Sequence, residues 1–207
     1  MAEKPQSSVA AEVAAETGFL AAVQRMSATR WNYFVGQTSD FLVSFVLLGA
    51  AVAVDREHPL RALVAMLVGL FVFSFIEYAF HRWLFHGPVA LFERGHTLHH
   101  QRPLGYDSLP FFFSPIVILL LAALLATAMP LGAALYLAGA IALGYALYGY
   151  AHFIVHRYRF HNAAWRAWVR IHNIHHAHPD KNFGVTTPLW DFVLGTWYVS
   201  KSKVRAR

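Results

Sequence analysis

Four apolar stretches, about Phe34 to Val54, Leu60 to Phe80, Phe111 to Met129 and Leu131 to Tyr150, dominate this 207-residue chain. Each is close to the ~20 residues that a helix needs to cross ~30 Å of hydrocarbon. Inside a bilayer every backbone N–H must be satisfied within its own segment, so runs of this kind are helices. The sequence therefore predicts an all-α integral membrane protein with four transmembrane helices. Composition agrees: 57% of the residues are hydrophobic and 14% charged, where soluble domains average roughly 45–50% and 25%. Gln37 and Asp40 interrupt the first stretch, which is expected to tilt or to start late. Pro59, in Asp55–Arg61 (DREHPLR), suits a helix start, and Met129-Pro130-Leu131-Gly132 suits a tight hairpin between the last two helices.

Residues 31–200 read as one membrane catalytic domain, preceded by a leader (1–30) and followed by a basic tail (201–207). The leader has neither a basic start nor an early apolar run, and so does not resemble a cleaved signal peptide. Val9, Val13, Leu20, Val23 and Met26 share a helical stripe with Glu12 and Glu16 outside it, which predicts a cytoplasmic or interfacial segment. The net charge of +6 comes without a groove-reading or base-stacking element, so a nucleic-acid partner is not expected. Following the chain through four crossings leaves only Arg56 and Arg61 on one side, while the other fifteen of the 17 Lys and Arg lie on the opposite side. Basic residues accumulate on the cytoplasmic side, which predicts that both termini lie in the cytoplasm.

There is no cysteine, so metal chemistry would rest on His and carboxylates. Of the 13 His, twelve fall in two blocks that this topology places on the cytoplasmic face. His81 and His86 end the second apolar stretch, and His96, His99 and His100 follow it as HTLHH. His152 and His156 end the fourth stretch, and His172, His175 and His176 follow as HNIHH. At about 100° per residue His152 and His156 lie roughly 40° apart on a helix, a spacing at which both can reach one metal. The H-x-x-H-H triplets each present three nitrogens within an arc of about 100°. His81 and His86 are about 140° apart on a regular helix, so either the helix loosens there or, the favoured reading, they address different metals.

A lone interfacial His usually snorkels, but four such motifs meeting at one face point to ligands. Ten imidazoles exceed the four to six ligands of a single ion, which predicts two transition-metal ions with about five nitrogens each, held in a cytoplasmic helical cap. Glu77, one turn before His81, is expected either to hold a ligand His by its outer N–H or to pair with a nearby Arg. Asp107, Asp180 and Asp191 read first as loop caps or Arg partners, His161 and His178 as surface residues, and His58 as structural. Phe111, Phe112 and Phe113 read as an interfacial aromatic belt.

IEYAFHRWLFH (Ile76 to His86), GHTLHH (Gly95 to His100), HFIVH, HNIHH and NFGVTTPLWDFVLGTW (Asn182 to Trp197) together resemble the fatty acid hydroxylase and sterol desaturase superfamily of non-haem dimetal membrane oxygenases. Within it the likeness is to fatty acid 2-hydroxylases, over roughly Phe71 to Tyr198. The resemblance implies the same ten His as metal ligands, iron as the working metal with zinc as an alternative, O₂ as oxidant, and a lipid substrate entering from the bilayer. It also implies electrons from a separate donor, either cytochrome b5-like or a ferredoxin with its reductase. A site at headgroup depth favours a carbon near the polar end of an acyl chain. A desaturase or hydroxylase of a sterol or carotenoid would use the same scaffold. A metal transporter is disfavoured, because transporters place their ligands near the midplane on broken helices.

Overall fold

The computed structural model describes residues 17–200, and among these it is all-helical. The leader residues Val9, Glu12, Val13 and Glu16 and the basic tail lie outside the described residues. In chain order the helices are α1 (Phe19–Ser27), α2 (Arg30–Asp55), α3 (Pro59–Phe80), α4 (Ala90–Gln101), α5 (Phe113–Ala128), α6 (Leu131–Arg157), α7 (Ala163–Ala177) and α8 (Leu189–Val193). Between α3 and α4 the chain continues through a π-helical turn, His81–Phe85.

Three segments are long and apolar enough to cross a membrane: Arg30–Asp55, Pro59–Phe85 and Leu131–Arg157. The fourth expected crossing, α5, has 16 residues, about 24 Å at 1.5 Å per residue. Outward faces of these helices carry exposed Leu42, Phe45, Leu67, Phe71, Leu119, Leu120 and Leu124. Large apolar side chains turned outward along several helices are the surface of a protein solvated by lipid tails.

Helix α6 is the centre of the bundle and packs against α2, α3 and α5. Its buried positions are mostly small, including Ala134, Ala138, Gly139, Ala140, Ala142, Gly144 and Ala146. Small residues let helix backbones approach closely where lipid supplies no hydrophobic drive. A Cβ on Gly144 would sit 2.5 Å from the Phe73 ring. The ring of α3 thus fills the space left by a missing side chain on α6.

Local signals set the ends. Thr29 caps α2 by accepting from the Asn32 N–H at 3.1 Å, Pro59 opens α3, and Asn162 caps α7 through Ala164 at 2.8 Å. At the far end of the bundle, buried Asp55 accepts from Arg61 at 2.6 Å and pairs with His58 at 2.7 Å, closing the α2–α3 hairpin. Helix α2 runs unbroken from Arg30. It tolerates its polar residues by turning them inward: Gln37 donates to the Ala146 carbonyl at 2.9 Å, and Asp40 accepts from Ser114 at 2.6 Å.

Candidate metal centre

Helices α3 and α6 bring their C-terminal ends together, and α4 and α7 lie over them, so that ten histidines converge. They form two groups, His81, His86, His96, His100 and His175, and His99, His152, His156, His172 and His176. Within each group one nitrogen per ring lies within 4.8 Å of all the others, and each group could hold a metal ion. His58, His161 and His178 join neither group; His178 stacks on Tyr198 with ring centroids 4.6 Å apart.

In the first group the Nε2 atoms of His96, His86, His175 and His100 close a ring with edges of 3.0, 3.1, 3.1 and 3.0 Å. His81 Nε2 approaches His96 Nε2 at 3.0 Å. A square of that edge has a half-diagonal of about 2.2 Å, close to an imidazole–metal bond of about 2.0–2.1 Å. The tautomers agree. His81 Nδ1 faces the Phe183 carbonyl, and His175 Nδ1 faces the Lys181 carbonyl at 2.7 Å, so each Nδ1 carries the proton and each Nε2 keeps its lone pair. Lone pairs aimed at one another across about 3 Å repel unless a cation lies between them.

The second group is suited to a cation on its own evidence. His156, His172 and His176 set their Nε2 atoms at 2.9 and 3.1 Å, while Nε2 of His99 and of His152 is buried without a hydrogen-bond partner. Buried polar atoms are rarely left unpaired. Both groups therefore suit a metal ion. Five imidazoles in each exceed the four ligands of a closed structural zinc site.

Burial keeps these rings neutral. His99 and His100 are pushed down to about 2, first by desolvation and then by neighbouring imidazoles. The same causes lower His86 and His176 to about 4. His175 also falls to about 4, by burial against a raising contribution from the Lys181 carbonyl. Neutral imidazole is the form that ligates metal.

Two expectations are corrected here. His81 and His86 belong to the same group, not to different ones. The regular-helix arithmetic fails because the His86 N–H donates to the His81 carbonyl at 3.2 Å, an i→i+5 bond that widens the turn and brings residues five apart onto one face. Glu77 touches no ligand ring. Its carboxylate accepts from the backbone N–H groups of Val185 at 2.6 Å and Thr186 at 2.9 Å and from the Thr186 hydroxyl, and so anchors a loop.

That loop, from Lys181 to Thr186, supplies both carbonyls that orient His81 and His175. Asn182 turns it at φ 52°, a conformation Asn tolerates, and its side chain accepts from the Tyr198 N–H at 2.9 Å. Asp191 lies wholly buried behind it, accepting from the N–H groups of Phe183 and Gly184 at 2.8 and 2.9 Å and from the Thr196 hydroxyl at 2.7 Å. Sequence reasoning missed Lys181 and Phe183, because a backbone carbonyl leaves no residue-type signal.

A cavity of about 390 Å³ opens beside the histidines. His96, His99 and His152 stand in its wall with Phe85, Phe92 and Tyr148, and it runs between α1, α2, α6 and the segment before α5 down to Asp40, Ser114 and Tyr145. Phe111, Phe112 and Phe113 line it as well, so the expected aromatic belt also forms part of a pocket.

Residues 66–196 match the family model described as fatty acid hydroxylase. The chain belongs to the fatty acid hydroxylase family. It is 28% identical over 187 residues to the fatty acid 2-hydroxylase of Mus musculus, covering 80% of this chain and 48% of that protein. A dihydroceramide fatty acyl 2-hydroxylase of Arabidopsis thaliana is 29% identical over 149 residues, covering 66% of this chain and 62% of the relative. The solved structure of full-length scs7p, in which only the hydroxylase domain is visible, superposes with a TM-score of 0.71 at 26% identity, over 88% of this chain and 70% of that one. This family member thus spans about half the length of the mouse relative.

Proposed function

We propose that the protein is an O₂-dependent lipid hydroxylase that carries two metal ions and oxidises an acyl chain close to its polar end. The observation that carries this reading is the cavity with His96, His99 and His152 in its wall and apolar side chains along its length. A long, mostly apolar recess beside spanning helices suits a lipid chain that enters sideways from the bilayer. The names of the relatives, fatty acid and ceramide fatty acyl hydroxylases, support the same class of substrate.

The ten grouped histidines are the proposed ligands, five to each ion, with iron as the working metal and zinc able to occupy the same nitrogens. Metal bound there would supply the activation of O₂ that insertion into an unreactive C–H bond requires. The protein's part is placement: the Lys181 and Phe183 carbonyls fix the rings of His175 and His81, while Phe85 and Phe92 keep water from the reacting carbon. Electrons come from a separate donor, cytochrome b5-like or a ferredoxin with its reductase.

Four crossings and a cytoplasmic site complete the reading. Because α3 and α6 both end at the histidines, α5 must carry the chain from that face to the far one, helped by the residues ahead of it. The split of basic residues supports cytoplasmic termini and a cytoplasmic site.

The test is expression in a host supplied with an electron donor and ¹⁸O₂, followed by lipid mass spectrometry. Hydroxy acyl lipid carrying ¹⁸O is the expected product. A new double bond without oxygen incorporation would reassign the reaction to desaturation, and an unchanged lipidome with altered cellular metal would reassign it to transport.

A further inference from the structure

One ionisable side chain in the bundle is unused by this chemistry. Asp40 sits on α2, within a segment long and apolar enough to span a membrane, and its carboxylate lines the cavity. Ionisable groups at such depth are costly and mark functional sites by default. Ser114 donates to Asp40 Oδ1 at 2.6 Å, and among the described residues no other donor and no Lys or Arg reaches the carboxylate. A carboxylate has about four acceptor positions, so one neutral hydroxyl leaves most of them open.

Its position along the cavity follows from two helix faces. Helix α2 presents Tyr33, Gly36, Gln37 and Asp40, at i, i+3, i+4 and i+7, and α6 presents Tyr145, Tyr148, Gly149 and His152 with the same spacing. Seven residues separate Tyr145 from His152, about 10 Å along the helix. Beyond Asp40 and Tyr145 lies a gap lined by Val43, Pro115, Ile118 and Ala142, too narrow to admit water. Asp40, Ser114 and Tyr145 therefore form the floor of the cavity. A floor whose only task was to stop an alkyl chain could be made of Leu or Phe, without a half-buried carboxylate.

We infer that Asp40, oriented by Ser114, is a specificity-determining site that binds a hydroxyl group on the substrate chain, about 10 Å from the carbon that is oxidised at the histidine end. The assignment rests on the proposed reaction only for which end of the cavity is reactive. A hydroxyl there donates to the open carboxylate oxygen. A plain methylene leaves that oxygen desolvated and unpaired.

The probes are a palmitoyl amide and the same amide with a hydroxyl on the chain carbon about 10 Å from C2. Binding of each to the metal-loaded protein in lipid nanodiscs is measured by competition with a fluorescent acyl lipid. The hydroxylated probe is expected to bind roughly tenfold tighter. Asp40→Asn should reduce that preference to a few-fold, and Asp40→Leu should reverse it. Ser114→Ala, which removes the hydroxyl that orients the carboxylate, should weaken the preference less than Asp40→Asn does, and the near-isosteric Asp40→Asn decides the matter if Asp40→Leu fails to fold. Equal binding of the two probes, or a preference untouched in Asp40→Leu, overturns the assignment. A change in preferred chain length alone would make the floor a simple stop and overturn it as well. Discrimination in binding without any hydroxylated product would leave this site standing and count against the proposed reaction. Product formed equally from both probes, with equal affinities, would do the reverse.

Discussion

Asp191 touches no histidine, yet the structure makes it the support of one metal group and not of the other. Its carboxylate holds the Phe183 and Gly184 N–H groups and the Thr196 hydroxyl, and the Phe183 carbonyl in turn orients His81. Replacing Asp191 by Ala removes three charge-assisted hydrogen bonds, each worth about 1.5–3 kcal/mol, and orphans two buried donors. Part of that loss is offset because a buried carboxylate no longer has to be desolvated. The net cost expected for breaking such a buried charged network is about 3–5 kcal/mol.

The effect on metal should be uneven. His81 and His175 depend on carbonyls of this loop, whereas among the described residues no ring nitrogen of the His99, His152, His156, His172 and His176 group bonds to it. Loss of a ligand's orienting partner costs about 10–100-fold in metal affinity. Asp191→Ala is therefore expected to fall from two tightly held ions per chain toward one, with Asp191→Asn intermediate because its amide keeps one acceptor and loses the other. Elemental analysis across a chelator titration, paired with thermal unfolding, provides the assay. Equal weakening of both ions, or full retention of both, would refute the argument that the loop supports one group selectively.

His99→Ala should abolish turnover and loosen one ion, while His58→Ala, far from the groups and 58% exposed, should leave both intact; product formation and metal content check this together. Metal retention should fall as pH drops. His86, His175 and His176 titrate near 4 in the fold against 6.5 when free, so the stability that depends on their neutrality is complete above about pH 6.5 and is lost between pH 6.5 and 4. A melting temperature of the metal-free protein that stayed flat across that window would contradict the burial of these rings. Reporter fusions after Arg207 should read cytoplasmic, and an opposite signal would refute the four-crossing topology.

What the sequence could reveal about this site followed helix regularity. His152 and His156 lie on an uninterrupted helix, so the four-residue spacing translated directly into shared direction. His81 and His86 did not, because the π-helical turn alters the angle per residue and hydrophobic periodicity gives no measure of that. A local sign was present in Gly87, where a side chain would collide with the Trp83 carbonyl, followed by Pro88. Gly-Pro just after His86 marks a helix that must end abruptly, and abrupt ends are where regular geometry is least secure. Glu77 was recognisable as important by its depth in an apolar run, but its partners lie 108 and 109 residues later in the chain, beyond the reach of spacing arguments.

The two triplets show how local spacing can suggest a grouping that the tertiary fold redistributes. Each H-x-x-H-H presents three rings to one side, and one ion per triplet would follow if the cap helices acted separately. Instead His96 and His100, four apart, join the first group while His99 crosses to the second. His172 and His176, four apart, join the second while His175 crosses to the first. Residues four apart differ by about 40° on a helix, whereas His99 and His175 are rotated about 60° from the first member of their triplet, to the opposite side from the fourth-residue partner. Each group thus takes two rings from the end of one spanning segment, two from one cap helix and one from the other. His100 and His176 stack with centroids 4.3 Å apart where the groups meet. Neither group can be completed by a single cap helix, so α4 and α7 must both be docked before either set of five nitrogens exists. That interdependence makes the pair of groups one cooperative unit, and it explains physically why a chain with so few polar residues keeps the same five-residue pattern on two separate helices.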